Sequence, residues 1–505
     1  MHALRPYWLT AISIFSLMVA RVFFLNTNII NPDCAMFFRA GQLIISGARP
    51  YVDFVELNPP LVFYVYSIAA YIAKLTGFSP ETSLYIFTTI LFAFSLLLCW
   101  NLLRNDSSPR VEGFGPVIVA FCLGNLLCYE WVQFGQRQQL LANALLPFFV
   151  CRNLRLQGTA INPVVAALSG LYCGLMTALL PQYAAIVVCL ELFYAWRQRR
   201  LRPLASPETL GFSASIGAYV VLVLSQETIR SEFLGRWLPM VSEGYALYNW
   251  PWPMQITQLI VSGILPLSII ALLLLLKNKT MKQGLLPAIF IFFLGAVIAI
   301  LLQGKCILNQ TIPLMYASLM LCCSVPINNF KRTLLAAALT LSAFLVPVYA
   351  LPGVISQNQI WQTMTGQIVD VIEKESTVDD RVSVLSLSLP DSYPALTSAA
   401  RDSGNRYFFV FPMLMAEYLA KKHSGEPVAV KWQAESQKFI DDLTSDLQTN
   451  KPRLILIQEN IIPTAKISVR KYLEQTSFWQ SINQDYQYAY PLKAGISELS
   501  VWKRR

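Results

Sequence analysis

Charge is what this chain has least of. Only 13% of its 505 residues are Asp, Glu, Lys or Arg, against about 25% in a typical soluble protein. It has two histidines, His2 and His423, far apart in sequence, so a His-ligated metal centre is not expected. No CxxC pair has metal-site spacing, and none of the ten cysteines lies beyond Leu351. Most sit inside apolar runs (Cys99, Cys122, Cys173, Cys189, Cys322, Cys323), which predicts free packing residues and no disulfide framework. No glycine-rich phosphate loop precedes a helix in residues 351–505, so no nucleotide is assigned to that region. Basic stripes with interleaved aromatics are also missing, which argues against nucleic acid despite a formal charge of +10.

What is present is apolar sequence. Hydrophobic residues make up 55% of the chain, and the mean hydropathy is +0.48. Twelve apolar segments stand out, at approximately 8–25, 59–77, 82–103, 114–131, 138–151, 162–179, 181–196, 209–226, 256–276, 284–302, 306–325 and 332–350. A membrane span needs about 20 residues. The expectation is a polytopic all-α membrane bundle of about 11–13 transmembrane helices over residues 1–350. Residues 351–505 are rich in charge and carry a helical stretch at Trp361–Glu375. Short aliphatic runs at Arg381–Leu389 and Arg453–Gln458 complete a soluble α/β domain. Near the N-terminus, no convincing small-x-small cleavage site follows the apolar core, so the first segment reads as an uncleaved span.

The Lys and Arg residues fall in short clusters between spans: 152–155, 197–202, 277–282 and 326–332. Excess Lys and Arg mark cytoplasmic loops. Loop 26–58, loop 227–255, the turn Gln303–Cys306 and the C-terminal domain then face outward. With the N-terminus inside, the spans must be odd in number, so 59–77 or 138–151 is the segment that does not cross. The working face is expected to be extracytoplasmic.

Loop 26–58 places Asp33, Asp53 and Glu56 beside the membrane surface, where carboxylates are costly unless solvated, paired or functional. Asp33 is the candidate base for an acceptor hydroxyl. Arg39, Arg49, Arg137 and Lys305 are candidates for charge developing on a leaving phosphate. Lys305 stands in a polar turn with Gln303 and Gln310. Each has a plainer role available. Asp33 could cap a helix running through Phe37 to Ile45. Asp53 and Glu56 could clamp Arg39 or Arg49. Trp237, Tyr245, Tyr248, Trp250 and Trp252 could form an interfacial belt or gate the substrate.

The pattern Asp33…Gly41…Gly47-x-x-Pro-Tyr-x-Asp53…Glu56-x-x-Pro59-Pro-Leu61 resembles the first outer loop of GT-C polyprenyl-phosphate-sugar glycosyltransferases. The bacterial mannosyltransferase and aminoarabinose-transferase type (family 39-like) looks most similar. Phe134-Gly-Gln136-Arg137-Gln-Gln-Leu140 and Gln303-Gly-Lys305-Cys-Ile-Leu-Asn-Gln-Thr-Ile-Pro313 resemble two further stretches of such proteins. The resemblance implies inverting transfer of a sugar from a polyprenyl-phosphate donor to a glycan, lipid or protein acceptor of the envelope. It implies Asp33 as general base and substrate contacts from Asp53, Glu56, Arg39, Arg137, Gln136, Lys305, Gln303 and Tyr245. It implies no cofactor, although Asp33 and Asp53 could share a divalent cation. The chain departs from the pattern at Gln138-Gln139, Asn309-Gln310 and Leu180, where relatives carry Glu-His, Tyr-His and Lys. A lipid-linked glycan flippase or a catalytically inactive envelope scaffold are the alternatives.

Overall fold

The computed structural model describes residues 4–24, 30–104, 113–130, 133–199, 205–261, 264–276, 285–325, 362–459 and 468–505. The expected segment 332–350 and the 350/351 domain boundary lie outside these residues. So do the basic clusters 277–282 and 326–332 and the end of 197–202. Packing divides the chain into two units. The first comprises residues 1–28, 85–222 and 249–355, and the second 29–84, 223–248 and 356–505.

The first unit is helical. Pro80–Leu103 and Pro207–Ser225 are each long and apolar enough to cross a membrane unbroken. Shorter apolar helices include Phe114–Tyr129, Pro163–Ala178 and Leu286–Leu302. Their outer faces carry exposed Ile90, Leu97, Leu168 and Val221, and the helix Ala184–Gln198 exposes Leu192 and Trp196, an arrangement stable only against lipid. The chain is an integral membrane protein. The expected segment 256–276 is two helices, Trp252–Val261 and Ile264–Leu276. The expected segment 138–151 is longer than its hydropathy suggests. Arg137–Leu156 is one helix of 20 residues with Pro147 inside it, and residues 137–154 are all buried. Protein surrounds this helix, which is why it tolerates polar side chains a lipid-facing span would not. Asn125 Nδ2 donates to Asn143 Oδ1 (2.7 Å) and Gln139 Nε2 to Asn125 Oδ1 (2.8 Å). Small residues allow close crossings. A Cβ on Gly170 would sit 1.8 Å from the Glu208 carbonyl oxygen.

The basic run 152–155 belongs to the last turns of this helix. Its charges are neutralised by Glu191 and Glu208 from two other helices. None of the ten cysteines is in a disulfide.

The second unit contains a five-stranded sheet of order β2-β1-β3-β5-β4. β1 (Arg381–Leu385), β2 (Asp402–Ser403) and β3 (Leu454–Gln458) are parallel. β4 (Tyr486–Ala494) and β5 (Ser497–Arg504) form an antiparallel hairpin on the edge of β3. β1 stops at Leu385, short of the expected Leu389. Ser386 Oγ bonds Asp391 (2.6 Å) and Leu389–Ser392 turns into a short helix. A helix spans 362–375, and Phe411–Lys422 packs on Pro427–Asn450. The same unit holds the helix pair Pro32–Ile45 and Leu61–Thr76. They cross so closely that a Cβ on Gly41 would meet the Ser67 backbone nitrogen at 2.7 Å. Leu61–Thr76 is one of the two segments that charge parity singled out as non-crossing. The expected loop 227–255 is largely helical, including Leu238–Gly244 and Trp252–Val261.

Candidate functional site

Asp33 lies in the first turn of the Pro32–Ile45 helix. The cap is Asn31, whose side-chain oxygen accepts from the Asp33 N–H (3.0 Å), and Pro32 occupies the first helical position. Capping therefore does not explain Asp33. Its half-buried carboxylate sits where the helix dipole favours a negative charge.

The loop that follows is tied at several points. Tyr51 adopts φ +66° and its amide donates to the Phe54 carbonyl (2.7 Å). Its hydroxyl donates to the Asn58 carbonyl (2.6 Å). Asp53 accepts from the Arg49 amide (2.7 Å) and the Arg49 Nε (3.1 Å). These bonds from Arg49 hold the Asp53 carboxyl below the ordinary carboxylate range, so it stays charged and is a poor proton acceptor. Glu56 is buried and accepts from the Asn58 amide (2.6 Å) and Asn58 Nδ2 (2.8 Å). Asp53 is thus a partner of Arg49, one of the two clamps considered for it. Arg39 binds Asp402 of β2 and Gln42 (3.1 Å). The Val55 amide donates to the Arg406 carbonyl (2.7 Å), joining the loop to the sheet-bearing part of its own unit. Tyr245 packs on Phe411 with the rings tilted by 54° and their centroids 6.2 Å apart. Trp237 is buried with the Arg236 guanidinium 4.3 Å from its ring centre, so it is not part of an interfacial belt.

The other predicted residues belong to the first unit. Gln136 and Arg137 open the central helix, and both are buried. Gln303 ends the Leu286–Leu302 helix, and Gly304 follows with φ +68°. That conformation turns the chain into the half-buried Lys305. Tyr183 links these pieces. Its hydroxyl donates to the Gln310 carbonyl (2.7 Å), lies against the Gln303 side chain and feels the Arg137 charge. Sequence reading missed Tyr183. Its one signal is a polar aromatic two residues after Pro181, at the start of an apolar segment. The amides around it are distinctive. Among the described residues, the side-chain oxygens of Gln133, Gln138 and Gln310 are buried without a hydrogen-bond partner. Gln139 accepts from the Gly135 amide (2.6 Å) and thereby holds the turn before Arg137. Among the described residues no group of three His, Cys, Asp or Glu side chains could hold a metal ion.

Two clusters are therefore built. One gathers Arg137, Gln136, Gln303 and Tyr183, with Lys305 two residues beyond Gln303. The other carries Asp33 and Arg39 on one helix, with Asp53 and Glu56 in the tied loop that follows. A buried guanidinium at a helix start suits a phosphate. A half-buried carboxylate at a helix start suits proton acceptance.

Solved structures with this architecture exist. The chain is similar to ArnT from Cupriavidus metallidurans in the apo state, with 10% identity, 97% of each chain covered and a TM-score of 0.53. It is similar to the same protein bound to undecaprenyl phosphate, with 11% identity, coverage of 98% of this chain and 97% of that one, and a TM-score of 0.52. A third likeness is to the archaeal oligosaccharyltransferase AglB from Archaeoglobus fulgidus in complex with an inhibitory peptide and a dolichol-phosphate. It covers 98% of this chain and 74% of that one at 11% identity, with a TM-score of 0.48. No family model and no curated protein matches by sequence. The likeness to ArnT runs end to end and is one of fold: this chain has the GT-C fold.

Proposed function

We infer that the protein is a membrane glycosyltransferase that moves a sugar from a polyprenyl-phosphate donor to an envelope acceptor. The observation carrying this reading is the likeness over 97% of both chains to ArnT, a protein also solved with undecaprenyl phosphate bound. In the proposed step the acceptor hydroxyl oxygen attacks the anomeric carbon from the face opposite the phosphate. The bond from that carbon to the phosphate oxygen breaks, the configuration inverts, and polyprenyl phosphate leaves. Asp33 takes the hydroxyl proton. Arg137 and Lys305, in the first unit, are cations of the kind that can bear charge growing on a phosphate. The buried amide oxygens of Gln133 and Gln138 accept from sugar hydroxyls. Asp53 and Glu56 shape the loop rather than touch the proton in flight. The working face and the sheet-bearing region are extracytoplasmic, in the inner membrane of a bacterium.

The test is transfer of labelled sugar from a polyprenyl-phosphate donor in proteoliposomes. Asp33→Asn should lower the rate by about 10²–10⁴-fold with donor binding retained. Undiminished transfer by this variant refutes the assignment of the base. Translocation of the donor without transfer by the parent protein would identify a flippase instead.

A further inference from the structure

In the second unit a cleft of about 400 Å³ lies between the first-loop region and the sheet edge. That volume is within the range of about 300–1,000 Å³ typical of small-molecule sites. The cleft does not include Asp33. Arg39, which lines it, is six residues further along the same helix, a rise of about 9 Å. Three guanidinium groups (Arg39, Arg381, Arg406) and three carboxylates (Asp53, Asp402, Asp446) face it, so its formal charge is balanced.

Each of these groups is fixed by a neighbour. Arg39 holds Asp402, and Arg49 holds Asp53. Arg406 Nη2 lies 2.7 Å from Asp446 Oδ1, and Arg381 bonds the Asn450 side chain. An anionic ligand would face three carboxylates, and a cation three guanidinium groups. A neutral ligand with many hydroxyls meets neither penalty and can donate to the carboxylates and accept from the arginines.

The most telling group is Asn405. It lines the cleft, it is only 7% exposed, and its side-chain oxygen has no hydrogen-bond partner among the described residues. Burying an acceptor without a donor is costly, and native proteins rarely do it without a reason. The side chain is placed firmly, because the Asn405 backbone makes bonds to Ser403 Oγ through both its carbonyl (2.7 Å) and its amide (3.2 Å). The stacked rings of Phe54 and Phe408, 5.6 Å apart, also line the cleft and supply an apolar wall. Preset donors and acceptors of balanced charge beside an apolar wall match the chemistry of a sugar ring.

We propose that this cleft binds a neutral sugar unit of a glycan acceptor, away from Asp33. The word acceptor rests on the transferase reading above; the binding does not. The experiment uses the full-length protein in detergent on an array of di- to tetrasaccharides. Neutral glucose, galactose, mannose and N-acetylglucosamine oligomers are printed beside acidic and amino-sugar ones. The parent protein should bind one or more neutral glycans. Asn405→Leu and Arg381→Gln should each weaken that binding about tenfold. Asn405→Leu removes an unpaired polar atom and keeps the number and branching of side-chain heavy atoms, so its thermal midpoint should match or exceed the parent's. Asp33→Asn should bind the array as the parent does while failing in transfer. That outcome separates the cleft from the catalytic proposal. Binding to no neutral glycan, binding to charged glycans alone, or neutral binding indifferent to both cleft variants overturns the proposal.

Discussion

Replacing Glu208 with Gln tests how the helical unit tolerates charge in its interior. Glu208 is completely buried. It accepts from Arg152 Nη1 (2.9 Å), Arg155 Nε (2.7 Å) and Arg155 Nη2 (2.8 Å). Arg152 is 1% exposed and also reaches Glu191 Oε2 at 2.6 Å. The four groups sum to zero charge. Glu208→Gln preserves shape but leaves two guanidinium groups facing one carboxylate, a net buried positive charge. Removing one partner of a buried ion pair costs about 3–5 kcal/mol. Arg155 is 29% exposed, so Arg155→Gln should cost less, about 1.5–3 kcal/mol for lost bonds to a charged group. The double variant restores neutrality around Arg152 and Glu191, so its cost should fall short of the sum by roughly 2 kcal/mol. Titration with SDS in mixed micelles, followed by tryptophan fluorescence, measures these values. A Glu208→Gln protein within about 1 kcal/mol of the parent, or strict additivity in the double variant, would refute a tightly coupled buried network.

Further outcomes can be checked separately. Gly41→Ala puts a Cβ 2.7 Å from the Ser67 backbone nitrogen, so the helix pair must part; a loss of about 1–3 kcal/mol is expected, read by the same titration. Tyr183→Phe removes the donor to the Gln310 carbonyl. It should cost about 0.5–1.5 kcal/mol and raise the KM for the lipid-linked donor more than it lowers kcat; an unchanged KM would detach Tyr183 from the site. His423 sits between Glu243 and Glu426, each at 2.9 Å. The bonds to Glu243 and then Glu426 raise its pKa above 6.5. The protonated form therefore favours the fold. Its contribution is fully present below about pH 6.5 and fades as pH rises through the raised native value. Limited proteolysis across that range should show protection falling with pH in the parent and a flatter profile in His423→Gln.

Hydropathy and the sparse, clustered basic residues were enough to indicate a membrane bundle followed by a charged α/β region, because burying charge in hydrocarbon is penalised wherever it occurs. The first-loop pattern pointed to the GT-C fold and to Asp33. β1 and β3 were legible as aliphatic runs, since strands buried on both faces need continuous apolar sequence. The β4–β5 hairpin went unseen. Its Tyr486, Tyr488 and Tyr490 alternate with Gln487 and Ala489, and a turn with Gly495 at φ +55° closes it, a weaker signal than an apolar run.

Other features belong to long-range packing alone. That Arg39 pairs with Asp402, 363 residues away, cannot be read from either neighbourhood. Nor can the grouping of 29–84 with the sheet-bearing region, since hydropathy reports how apolar a helix is and not which neighbour it finds. The central Arg137–Leu156 helix makes the point most clearly. Its sequence is too polar to face lipid, and only burial among other helices lets Gln139 and Asn143 bond one common partner, Asn125. Local sequence determined which segments avoid water. Tertiary structure decided which polar groups would meet inside them, because a buried hydrogen bond needs both its partners in place.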